Sequence, residues 1–332
     1  MSTAESTTRP GAVAEEDPDA PDTPRAGARR TPGLVPVAET LRSAERLPPQ
    51  APAIPAPARR AGAFWRLLGS ELGLTFRRPR NVVMLAALAA VPVIVGVALR
   101  IFGAGEDDGV GGLIAAVAGN SLMLTFASLS FVVVMLMPVA VAIVAGDSIA
   151  GEAGTGTLRY LLAAPAGRTR LLAVKYLNAV LFSFAVTAVV ALAALVTGLL
   201  LFPSGPVTLL SGTTISMADG LLRILISVGY VGAGMAALAA VALAFSTFTE
   251  VSIGAVAATV GVVIVTQVLR AIPALESIAP YLLPTWWTRF DGVLRSPIAV
   301  EDMTQGLLVF GGYALLFCSL AWARFSGKDI TS

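Results

Sequence analysis

Histidine is absent from this 332-residue chain. That removes imidazole acid–base catalysis, any Ser-His-Asp set and every histidine-ligated metal site. Cysteine occurs once, as Cys318 inside an apolar run. Neither an intramolecular disulfide nor a cysteine metal cluster can form, and Cys318 reads as a small packing residue. Charge is scarce: Asp, Glu, Lys and Arg make up 13% of the chain, against roughly 25% in globular proteins. The net charge of +2 is too small to draw nucleic acid. No GxxxxGK[ST] phosphate loop occurs, so no ATP site of that kind is encoded. The stretch GEAGTG from Gly151 is glycine-rich, but it lacks the lysine and has no strand before it.

What fills the chain is apolar sequence: 56% of residues are hydrophobic. The exception is residues 1–63, rich in Pro, Ala, Thr and charges of both signs, with no apolar run. Such a segment cannot bury a core and is expected to be a disordered tail. It has no h-region and so does not read as a signal peptide. Arginine greatly outnumbers lysine and alanine is abundant, which fits a high-GC bacterial genome.

From residue 64 the pattern changes. In FWRLLGSELGLTFRRPR, Trp65, Leu68, Leu72 and Phe76 recur at helical spacing, with Arg66, Ser70 and Arg77 opposite. This predicts an interfacial helix with its apolar side at the acyl boundary and its cations toward headgroups. Packing of that side on protein is the alternative. A span needs about 20 apolar residues to cross roughly 30 Å, and six candidates follow. They are Val82–Ala98, about Ser121–Val144, about Leu172–Phe202, about Leu221–Phe245, Val251–Val268 and about Met303–Ala323. The uncharged run from Gly109 to Ala145 exceeds one span, so an external or interfacial segment is expected near Gly111–Gly119. Arg77, Arg78 and Arg80 before the first span place the N-terminus inside, and Arg324 and Lys328 place the C-terminus inside. Arg270, Arg289 and Arg295, in the long outside segment, run against that rule; longer loops obey it less well.

The polar stretch Gly146–Lys175 separates the second and third spans. Leu158, Leu161 and Leu162 fall on one face of a short helix. Thr157 is placed to cap its start and Pro165 to end it. An amphipathic helix held out to the cytosol points to a partner; packing of its Leu face on the chain's own spans is the alternative reading.

The central parts of the six spans carry no Asp, Glu, Lys or Arg. Intramembrane ionisable groups mark proton and ion pathways, so their scarcity speaks against a gradient-driven transporter, although backbone carbonyls can bind sodium. Glu301 and Asp302, adjacent acids near one membrane face, would be the weak basis of a membrane transferase reading.

The loop resembles the cytoplasmic segment of ABC-2 permeases, the membrane subunits of type V ABC exporters. The matching residues are Glu152, Gly156-Thr157-Leu158, Leu161-Leu162, Pro165, Arg168 and Lys175. With the helix before the first span and the long segment between spans five and six, the likeness covers about residues 64–330. It implies an all-α integral membrane fold of six transmembrane helices, an N-terminal interfacial helix and a cytoplasmic coupling helix between spans 2 and 3. It implies a permease that exports substrate across the bacterial cytoplasmic membrane with both termini cytoplasmic. ATP would be bound by a separate ATPase subunit, with a second permease copy or paralogue completing the assembly. Arg159, Arg168 and Glu152 would orient the coupling helix in the ATPase groove. It also implies short re-entrant helices at the exit side within Ile272–Asp302, with Trp286 and Trp287 as exit-side aromatics; interfacial anchoring of those rings is the alternative. The readings that remain beside it are a secondary transporter or channel without an ATPase, and a non-transporting membrane assembly factor.

Overall fold

The computed structural model describes residues 62–102, 120–156, 167–205, 207–208 and 213–327. Residues 1–61 of the expected tail, the segment Gly111–Gly119, and Thr157, Leu158, Arg159, Leu161, Leu162 and Pro165 lie outside the described residues, while Gly62 and Ala63 belong to the start of the first helix. Within them the chain is α-helical, and six helices are long and apolar enough to cross a membrane.

Helix α1 (Ala63–Arg77) comes first. It ends because Pro79 forces the preceding Arg78 out of helical geometry, and Arg78 is extended (φ −65°, ψ 123°). Pro79 then opens α2 (Pro79–Phe102), where its missing N–H costs nothing. The stripe Leu68, Leu72 and Phe76 does not face outward as the sequence reading had it. Leu68 is buried, α1 lies along α5 (Arg168–Leu201), and Phe76 meets Phe182 of α5 at 6.0 Å between rings. Trp65, expected on that stripe, is exposed instead, as is Leu74.

The second apolar run forms α3 (Met123–Met135) and α4 (Met137–Gly154), interrupted at Leu136. Pro138 is the cause: it has no N–H to give to the carbonyl of Val134. The ladder survives around the break, since Leu136 N–H donates to Val132 and its own carbonyl accepts from Ala140. The α3/α4 pair therefore ends at Gly154, well past the expected Val144. Likewise α5 starts at Arg168 rather than near Leu172. The stretch 146–175 is thus mostly helix at its two ends.

After a two-residue antiparallel pairing of β1 (Val207–Thr208) with β2 (Thr214–Ile215), helix α6 (Met217–Phe248) begins. Ser216 caps it by accepting from the Asp219 N–H at 3.1 Å. Helix α7 (Ser252–Ala271) follows after three residues, so α6 and α7 form a tight hairpin. Two 3-10 helices (Pro273–Tyr281 and Arg289–Leu294) flank the short α8 (Leu283–Trp286), and α9 (Val300–Ser326) closes the bundle.

Helix α6 is the most buried of the candidate spans, and it packs against α4, α5 and α9. Close approach relies on glycine at particular points. A Cβ on Gly154 would stand 2.7 Å from the Glu250 carbonyl oxygen, and one on Gly306 would overlap the Tyr230 hydroxyl. The outer faces of α2, α7 and α9 carry exposed Val, Ile and Leu, as lipid-facing surfaces do.

Candidate functional site

Polar residues gather at one end of the bundle, where α4 ends and α5 begins. The corner Arg78-Pro79-Arg80 sets two guanidinium groups side by side. Both reach the Asp147 carboxylate of α4: Arg78 NH1 lies 3.1 Å and Arg80 NH2 2.9 Å from Oδ2. The other oxygen, Oδ1, accepts from the Ser252 hydroxyl of α7 at 2.5 Å. One carboxylate thus holds the start of α2, α4 and α7 together.

A second knot forms on Lys175 of α5. Its side chain is 4% exposed, yet its ammonium is neutralised twice. Nζ donates to Glu71 Oε2 of α1 at 2.8 Å and to Glu152 Oε1 of α4. A buried lysine is tolerable only with such partners. One turn along α5, Asn178 Nδ2 donates to Thr75 Oγ1 at 2.9 Å, so Lys175 and Asn178 face Glu71 and Thr75 as two rungs. Asn81 completes the seam by donating from Nδ2 to the Thr75 carbonyl at 2.8 Å. Three acids (Glu71, Asp147, Glu152) meet three bases (Arg78, Arg80, Lys175), and five helices are joined.

Two of the residues read from the loop motif, Glu152 and Lys175, are brought together here. Arg168 is separate: its NH1 donates to the Ser326 carbonyl at 2.7 Å and caps the end of α9. Beside it Trp322 Nε1 donates to Thr169 Oγ1 at 3.0 Å. Trp286 and Trp287 sit at the opposite end and are buried in the chain's own core. Trp286 Nε1 donates to the Pro280 carbonyl at 2.8 Å, and the Trp286 carbonyl accepts from Tyr230 Oη at 2.9 Å. Of the adjacent acids, Asp302 lies 3.8 Å from Arg289, both half-exposed. Among the described residues no group of three or more His, Cys, Asp or Glu could hold a metal ion.

The sequence reading missed Glu71, Asp147, Asn178 and Arg223. Asp147 carried a signal, as the first charge after an uncharged run of 37 residues read from 109–145. Glu71 carried one too, as the only acid of α1. Arg223 is 7% exposed, and its guanidinium donates to the carbonyls of Val293 and Arg295, the latter at 3.0 Å.

Six helices long and apolar enough to cross a membrane define an α-helical multi-pass membrane protein, with the charged seam at one end of the bundle. Residues 110–331 match the model of a family described as a protein of unknown function, DUF2705, and the chain belongs to that family. No curated protein matches the chain.

Proposed function

We propose that the chain is the permease subunit of an ATP-driven exporter of the ABC-2 kind, with ATP hydrolysis carried by a separate ATPase subunit. The supporting observation is the knot on Lys175. Glu152 comes just before the segment 155–167 and Lys175 follows it in α5; the two are tied to each other, and Lys175 also to Glu71 of α1. A force applied to that segment is handed at once to α1, α4 and α5. A coupling element needs such an attachment, and the motif residues stand at its two feet.

On this reading Thr157 opens the coupling helix and Pro165 closes it. Leu158, Leu161 and Leu162 enter the ATPase groove as a helix-in-groove contact, with Arg168 beside them. Helix α1 rests at the membrane interface with exposed Trp65 and Leu74 turned to lipid. The region around Trp286 and Trp287 forms the exit side. The permease pairs with a second copy or a paralogue in the bacterial cytoplasmic membrane, both termini cytoplasmic.

The test is the double variant Leu161→Asp/Leu162→Asp. Two charges placed in an apolar contact cost several kcal/mol, on the order of 2–7 per unpaired polar group. The variant should insert normally but lose co-purification of the ATPase and substrate-stimulated ATP hydrolysis in proteoliposomes. Wild-type levels of both would overturn the exporter assignment.

A further inference from the structure

Helix α1 turns one face away from the bundle. Along it Arg66, Gly69, Ser70, Gly73 and Arg77 follow at helical spacing, and none of them is buried. An open groove of about 630 Å³ runs over Gly69, Ser70 and Gly73 to Leu74, Arg77 and Arg78. The fold does not explain its two glycines. A Cβ on either would meet nothing within 4 Å. Glycine inside a helix lowers its stability relative to alanine. Two of them about one turn apart, with no close packing to permit, keep space open on the outside of the molecule.

The groove carries charge of one sign. Its charged residues are Arg77 and Arg78, and no acid lines it. Among the described residues no acid pairs with Arg77. Arg78 gives one donor to Asp147, yet its side chain is 54% exposed and its fork has further N–H groups to offer. Exposed Leu74 and Trp65 add apolar surface to the same helix. Depth fits as well. Pro79 opens α2, and the apolar run of that span begins at Val82, about 5 Å further on at 1.5 Å per residue. The two arginines thus stand at the edge of the hydrocarbon, at the level of the headgroups.

We infer that this groove binds the headgroup of an anionic phospholipid. The phosphate lies on Arg77 and Arg78, whose planar forks suit its oxygens. The rest of the headgroup takes the space over Gly69 and Gly73, and the acyl chains leave past Leu74. A zwitterionic lipid brings an ammonium of its own to the same two cations and is disfavoured; a lipid of net negative charge is not. The inference rests on the reading of α1 as an interfacial helix and deepens it. It is independent of the ATPase proposal.

The test is native mass spectrometry of the full chain in detergent, with equal amounts of phosphatidylglycerol and phosphatidylethanolamine of matched acyl chains. Retained glycerol lipid should exceed ethanolamine lipid by about tenfold, the scale of one to two arginines facing an anionic lipid. Arg77→Gln should lower that ratio by about fivefold, and Arg77→Gln with Arg78→Gln should bring it to about one. Arg100→Gln removes the same charge near the other end of α2 and should leave the ratio unchanged. Gly73→Leu fills the groove without altering charge and should reduce retention of both lipids. Thermal unfolding in detergent identifies any variant that fails to fold; the wild-type ratio and Arg77→Gln, which has no ion pair to lose, then carry the test. Equal retention by wild type would overturn the site, as would a ratio that falls as far in Arg100→Gln as in Arg77→Gln. Displacement of the lipid by an equal concentration of soluble glycerol phosphate would rule out a lipid as the ligand. If Gly73→Leu splits a dimer and leaves lipid retention unchanged, the groove is a contact between copies and the lipid assignment falls. Failure of the underlying reading shows separately: quenching of tryptophan fluorescence by brominated lipid that is the same in wild type and Trp65→Phe would take α1 off the interface, and the site with it.

Discussion

Lys175 is the residue on which the seam depends most. Removing it leaves Glu71 and Glu152 facing each other with little water to screen them. Breaking a buried ion pair from one side costs about 3–5 kcal/mol. Lys175→Met should therefore lower the thermal unfolding midpoint in detergent far more than Arg78→Ala. Arg78 is half-exposed, and pairs of that kind contribute about 0–1 kcal/mol. Adding Glu71→Gln to Lys175→Met should recover part of the loss, since it removes one of the stranded charges. Equal shifts for Lys175→Met and Arg78→Ala would show that the knot is screened as fully as the rim. Glu152 and Lys175 were legible in the sequence as motif positions. Glu71, the other carboxylate on Lys175, was not, because it lies 104 residues before Lys175 and no local spacing encodes that pairing.

Among the elements, the short helices between α7 and α9 are the part held least by their own hydrogen bonds. A 3-10 run such as Arg289–Leu294 leaves carbonyls free at its end. Arg223 reaches across from α6 and accepts that role as donor to Val293 and Arg295. Arg223→Met should free those carbonyls. Hydrogen exchange over residues 289–299 should then rise by about tenfold or more, given roughly 1.5–3 kcal/mol for hydrogen bonds to a charged group. Exchange in the middle of α6 should not change. Unchanged exchange over 289–299 would mean that Trp286, Trp287 and Phe290 hold the segment by packing alone. Apolar length made the spans legible, but not where α4 and α5 meet the polar stretch. Asp147, Glu152 and Lys175 have the composition of a loop. They stay helical because each charge finds its partner inside the bundle.

For the whole molecule, the described helices alternate between two ends: Gly154 and Ser326 belong to one, Glu276 to the other. Reporter fusions at Gly154 and Ser332 should read inside, and fusions at Glu106 and Glu276 outside. An inside signal at Glu276 would break the six-span arrangement. The count of spans was legible because lipid demands long uninterrupted apolar helices. How the spans pair was not, because outward-facing Leu and inward-facing Leu look alike in a run such as 189–202. The interruption at Leu136 carries a mechanical consequence. On one side of it, α4 is clasped by the α6/α7 hairpin through Gly154 against Glu250, Asp147 against Ser252, and the Ile149 and Ala150 N–H groups on Ser246. On the other side, α3 packs along α5 and α2. The two halves of the apolar run thus lean on different neighbours, and Arg80 on Asp147 and Lys175 on Glu152 tie the second half back to α2 and α5. Between the halves, Pro138 has removed a rung of the ladder.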